Sequence, residues 1–403
     1  MSLDRLHEEL KWPTREAILS PPGPGPRVLA ELARQKIEGT IRRSAEGVPD
    51  AHVGLLTKNP DSDRTEAPVA VVCEFPRAAS DKTLADCHRL AWNFVRSPLL
   101  VTVEPHRVRT WTCCEPPATG QTLLTGDAEI EKAGLDLTGK LSPSQQAEHA
   151  LHWVRLASGD FYRQFPDRFR RDGRADRVLL EQLTSVRRRL TRQKLDEDRI
   201  HDLLARVVFS QFLFDRKDSE GRPALNPTLL ARLCKEGHLA REHTHLGSIL
   251  ADYGEAYRFF RWLNEKFNGD LFPGKGGTPA QREADWQKEM QHVKPRHLQT
   301  LADFVSGRLR GRQRVLWRQY SFDVIPLEFI SSIYEEFVRT KGAHYTPGYL
   351  VDFMLDEVLP WGGDRWDLKI LDPACGSGIF LVKAYQRLIQ RWKNAHPGKK
   401  PST

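Results

Sequence analysis

The sequence predicts three architectures in succession: an α/β unit, a mostly α-helical middle, and the first β-α unit of a doubly wound α/β domain. Three observations carry this. Short β-branched runs alternate with helical patterns before about residue 120. Apolar residues then recur every three and four positions from about 145 to 320. Finally, an apolar run at Leu368–Leu371 enters a glycine turn, and a helical pattern leaves that turn at Ile379.

Each element follows in chain order. Residues 1–26 read as an N-terminal arm closed by "SPPGPGPR", which suits neither helix nor central strand. Residues 27–120 read as the α/β unit. Its helix spans 27–43, strands follow at 51–56 and 68–75, a helix at 82–96, and strands at 98–104 and 106–115. Residues 121–144 read as a linker and 145–320 as a helical connector. Within it, "FPGKGGTP" is a break between helices and no phosphate loop, because no GK[ST] follows at the needed spacing. Residues 321–403 read as the start of the last domain, with a helix from Ile379 to about Lys393.

Composition narrows the function classes. The chain of 403 residues is 39% hydrophobic and 28% charged, as globular proteins are. No run of eighteen apolar residues offers a membrane span, and the N-terminus lacks an apolar signal core, so a cytoplasmic protein is expected. The six cysteines show neither a CxxC pair nor a zinc spacing, which reads as reduced structural thiols. The net charge of +8 permits an anionic partner. Arginine-dense runs lie at 167–177, 186–194 and 307–319. They read either as solvated helix faces or as phosphate contacts. In the second reading Arg187, Arg188, Arg189, Arg310 and Arg312 touch double-stranded DNA.

The most specific string is "LDPACGSGIFL" at 371–381. Glycines at 376 and 378 permit a sharp turn and close backbone approach to a ligand, Asp372 places a carboxylate at the strand end, and Phe380 can supply a wall. "DPACGSG" resembles the S-adenosylmethionine loop of N6-adenine-specific DNA methyltransferases. Upstream, "GAHYTP" at 342–347 resembles the second cofactor segment of that family, with His344 where an aromatic ring is common. "VIPLEFISSIYEEF" at 324–337 resembles the preceding helix in large restriction-modification enzymes.

The resemblance implies a Rossmann-like methyltransferase domain that transfers methyl from S-adenosylmethionine to N6 of adenine. It implies that Asp372, Pro373, Ala374, Cys375, Gly376, Gly378 and Phe380 line the cofactor, and that Tyr345, Thr346 and Pro347 close over it. The family's catalytic N-P-P-Y/F turn is not found; "SPP" at Ser20–Pro22 is followed by glycine. A single β-α unit does not bury both faces of a sheet. The chain therefore reads as the N-terminal portion of a restriction-modification or phage-defence methyltransferase. On this reading it is inactive alone and is a truncated chain, the product of an interrupted gene or a subunit completed by a second polypeptide.

The N-terminal unit resembles the nuclease-like domains that open such enzymes. Asp50 and Glu74 stand where two carboxylates of that fold share magnesium. The lysine expected two residues after Glu74 is replaced by Pro76. Magnesium is therefore expected only if cleavage survives, and a DNA-positioning role is favoured. Two other readings stay open: a methyltransferase acting on RNA or protein, and a non-catalytic DNA-binding scaffold.

Overall fold

The structure is a computed structural model that describes residues 2–20, 25–44, 47–62, 64–105, 107–117, 151–218, 220–267, 271–309, 317–326, 329, 346–376 and 378–399. The chain divides into two compact units. The first gathers residues 1–177 with 324–335 and 339–403; the second holds 178–323 and 336–338.

The first unit is built on a four-stranded sheet in the order β1-β2-β3-β4. The strands are β1 (His52–Leu56), β2 (Ala70–Glu74), β3 (Leu99–Glu104) and β4 (Arg107–Thr112). β1 pairs antiparallel with β2, with His52 opposite Glu74. β2 pairs parallel with β3, with Val71 opposite Leu100. β3 pairs antiparallel with β4, with Leu99 opposite Thr112. The parallel pair needs a crossover, and helix α5 (Asp81–Phe94) supplies it. Ser80 caps that helix by accepting from the Thr83 N–H.

β2 and β3 are buried at every position. Helices cover both faces, which explains why "VAVVC" is an unbroken apolar run instead of an alternating one. On one face, Val53, Leu55, Val71, Cys73 and Leu100 pack with Ile37, Ile41, Leu84 and Leu90. These last come from α5 and from a helical run composed of α3 (Pro26–Ala33), a π turn (Arg34–Glu38) and α4 (Gly39–Arg43). On the other face, Ala70, Val72, Val101 and Val103 meet Leu3, Leu6, Leu10, Trp12 and Phe161.

That second face changes the expected boundaries. Residues 1–26 do not stand apart as an arm. Helices α1 (Leu3–Leu10) and α2 (Arg15–Ile18) lie in the core, with Leu3, Leu6 and Leu10 fully buried. The sheet needs a cover there, and the i, i+3, i+7 leucines provide it. Helices α6 (Trp153–Ser158) and α7 (Asp160–Gln164) complete the cover, broken apart at Gly159 with φ +82. They were expected in the helical connector but belong to the first unit. The expected linker at 121–144 lies outside the described residues.

Among its described residues the regular structure of the second unit is helical, apart from one isolated bridge between Lys217 and Pro223. It comprises most of α8 (Ala175–Arg192), then α9 (Glu197–Asp215), α10 (Pro227–Lys235), α11 (Leu246–Leu250), α12 (Tyr253–Phe267), α13 (Pro279–His292) and α14 (Pro295–Val305). Its core contains a charge. Arg206 is fully buried and donates to Glu289 through two bonds of 2.7 and 2.8 Å. Tyr257 donates to the same carboxylate at 3.0 Å, and the guanidinium lies over the Phe260 and Phe272 rings. Thr278 opens α13 with a capping box completed by Gln281, which ends the "FPGKGGTP" break.

The C-terminal described residues form two helices, α15 (Gly348–Val358) and α16 (Ile379–Ala395). The expected strand at Leu368–Leu371 does not form; those residues are irregular, and Leu371 is 86% exposed. A strand needs a neighbour to satisfy its backbone groups. Among the described residues, none pairs with this run.

Candidate functional site

The helix expected after the glycine turn is α16. Gly376 and Gly378 both adopt the left-handed region, at φ +53 and +78. Only glycine takes these angles without strain, so the turn depends on both. The Gly378 N–H donates to the Cys375 carbonyl at 2.7 Å, and the Ala374 N–H to Asp372 Oδ1 at 3.1 Å. Asp372 thus fixes the entry to the turn with its own side chain. A Cβ at Gly378 would meet no atom within 4 Å, so the space beside it is open. Pro373, Ala374 and Cys375 are exposed. Phe380 is partly buried and packs against the small core of the two helices.

Thr346 and Pro347 immediately precede α15, and Pro347 is its N-cap. The contacts between α15 and α16 run in step. Gly348 lies near Ile379 and Lys383, Asp352 pairs with Lys383 at 2.8 Å, Asp356 pairs with Arg387 at 2.8 Å, and Pro360 accepts from Arg391. Position rises along both helices together, so they run parallel. Their N-terminal ends therefore sit side by side. Gly348, which follows Thr346 and Pro347, lies beside Ile379, which follows Gly378, so segments far apart in sequence start neighbouring helices. Two helix N-termini at one place present free N–H groups and positive dipole ends, which favour a carboxylate. Tyr345 lies outside the described residues.

The sequence did not mark the residues that hold this pair together. Lys383, Arg387 and Arg391 are buried, and Arg387 is fully so. Arg387 also donates to the Leu359 carbonyl at 3.0 Å and stacks over Trp361 at 4.7 Å. Their i, i+4 spacing matches that of Asp352 and Asp356, and that matching was the available signal.

The other expected sites are placed as follows. Asp50 is exposed in a turn. Glu74 is buried, and both of its oxygens are engaged. Oε1 accepts from the Leu3 N–H at 3.1 Å, and Oε2 accepts two bonds from the Arg15 guanidinium at 2.9 and 3.1 Å. A cation of the chain already neutralises this carboxylate. The donor set does not fit magnesium, which would have to displace Arg15. Among the described residues, no group of three His, Cys, Asp or Glu side chains could hold an ion. Arg188 and Arg189 are exposed on α8, and Arg187 is ion-paired with Glu197. Arg310 and Arg312 lie outside the described residues. Each of the six cysteines is a free thiol, and Cys375 is exposed. No helix among the described residues is long and apolar enough to cross a membrane.

A glycine turn feeding a helix is one part of the strand–turn–helix layout with which α/β sheets hold ligands; the strand is missing among the described residues. Residues 327–399 match the family model of N-6 DNA methylases. The match therefore covers both helices and the glycine turn. No curated protein and no solved structure matches the chain.

Proposed function

We propose that the chain is part of an N6-adenine-specific DNA methyltransferase of a restriction-modification or phage-defence type. On this reading residues 346–378 form one wall of its S-adenosylmethionine site. The convergence of Pro347 and Gly378 at one end of a parallel helix pair carries this reading. The residues fit the cofactor's chemistry. The N–H groups at the starts of α15 and α16 would hold the amino-acid carboxylate, Asp372 would offer its charge to the cationic end, and the open side of Gly378 would leave room for the ligand. When bound, the cofactor supplies an electrophilic methyl group. The residues of this chain bind and orient it.

The acceptor is adenine in double-stranded DNA. Arg188 and Arg189 on the exposed side of α8 suit phosphate contact. The N-terminal sheet positions DNA and does not cut it, because Arg15 occupies Glu74. The exposed apolar face of α15 suits a second polypeptide as partner. The site of action is the cytoplasm.

The test is titration of the chain with S-adenosylmethionine, followed by the amide resonances of Gly376 and Gly378. Both should move, and Asp372→Ala should abolish the movement. Unchanged resonances at millimolar ligand would reject the cofactor site. The unpaired Leu368–Leu371 run favours a second reading, a DNA-binding scaffold without chemistry. Salt-dependent DNA affinity with no cofactor response would select it.

A further inference from the structure

The β1–β2 connection reaches into the charged node between α15 and α16. Thr65 is the residue that enters it. Its N–H donates to Asp356 Oδ2 at 2.9 Å, and its hydroxyl donates to Asp356 Oδ1 at 3.2 Å. The same hydroxyl oxygen accepts from Trp361 Nε1 at 2.9 Å and from Arg387 Nη2 at 3.2 Å. One side chain thus bonds α15, α16 and the segment between them. The neighbouring residue adds a surface pair, Arg64 with Glu357 at 2.9 Å.

We propose that Thr65 is a positioning residue for the glycine turn, so that the N-terminal sheet domain sets the geometry of the cofactor site. This rests on the cofactor reading above. The two helices share a small apolar core, Val351, Leu355, Leu359, Ile379 and Ala384. Their relative tilt is therefore set largely by the charged node. Asp356 lies toward the C-terminal end of α15, and Arg387 lies two turns into α16. A change of tilt at the node moves the other ends, Pro347 and Gly378, against each other. Thr65 holds Asp356 and Arg387 in register from outside the pair. Without its hydroxyl, Trp361 and Arg387 each lose an acceptor in a half-buried site.

The experiment uses the full chain and S-adenosylmethionine as probe, with the Gly376 and Gly378 amides as readout. Thr65→Val keeps the shape and removes the hydroxyl; Thr65→Ser keeps the hydroxyl. Thr65→Val should weaken binding about tenfold, the equivalent of one hydrogen bond to a charged group. Thr65→Ser should bind as the unaltered chain does, a rescue that a mere packing role would not give. Arg64→Ala, which removes only an exposed pair, should change nothing.

Equal affinity for Thr65→Val and the unaltered chain overturns the proposal while leaving the cofactor reading intact. No binding by the unaltered chain itself rejects the cofactor reading and the proposal with it. If Thr65→Val does not fold, amide exchange in the unaltered chain decides. Ligand should slow exchange at the Thr65 N–H, and an unchanged rate overturns the proposal.

Discussion

The N-terminal sheet and the C-terminal helix pair solve burial in opposite ways. The sheet is closed by apolar residues on both faces, and β2 and β3 have no exposed position. The helix pair is closed on one side only, and there largely by charges. Its other side is apolar and open: Tyr349, Phe353 and Val358 of α15 are 77%, 59% and 77% exposed. The difference teaches that the two regions place their charges on opposite sides of the fold. A contiguous exposed apolar face of this kind has the character of a contact surface.

Substitutions can break or sharpen that contrast. The largest effect is expected at Arg387, where Arg387→Met leaves Asp356 and Asp352 without their fully buried partner. Loss of one member of a buried pair costs about 3–5 kcal/mol. Hydrogen exchange should show α16 losing protection while the sheet keeps its own. Equal loss in both would erase the distinction between the two regions.

In the sheet, Leu100→Ala should cost about 2–5 kcal/mol through a cavity in β3. A lower urea midpoint with an unchanged slope is the expected signature.

The sheet also carries a pH dependence. Burial holds the His88 imidazole down at about 4, although its Nε2–H donates to the Thr112 carbonyl at 2.8 Å. The unfolded imidazole titrates near 6.5, so the unfolded chain takes up a proton first as pH falls. The stabilisation is full above 6.5 and is lost progressively toward pH 4. It amounts to about 3 kcal/mol. His88→Gln should flatten that slope in urea titrations across this range.

Glu74→Gln weakens the Arg15 pair and should cost about 1 kcal/mol, read from the melting temperature. A gain in magnesium affinity on Arg15→Ala would revive the metal reading of Glu74. The smallest effect is expected on the open face, where Phe353→Ser should stay within about 0.5 kcal/mol. A large loss there would mean that the face is covered.

The sheet was legible because its strands are β-branched runs ended by polar loops, and a parallel crossover demands the helix found between β2 and β3. The cover on its second face was not. Leu3, Leu6 and Leu10 announce an amphipathic helix, but nothing local says what it packs on. Leu368–Leu371 shows the opposite failure. Its pattern is that of a strand, yet pairing is a property of neighbours that a run cannot state. The glycine turn was readable because φ above zero restricts the residue types so severely. Thr65 and Arg387 were hidden, since a lysine and two arginines at i, i+4 normally describe a wet helix face.

The charged interior of the helix pair has a thermal consequence. Exposure of apolar surface raises heat capacity, and exposure of polar surface lowers it. Opening α15 and α16 uncovers few apolar residues and many ionic groups. Its stability should therefore bend little with temperature, while that of the sheet follows a steep dome. Hydration of charges also becomes less favourable on heating. Warmth that loosens the sheet should leave the helix pair comparatively firm, so the order in which the two regions melt depends on the temperature at which they are compared.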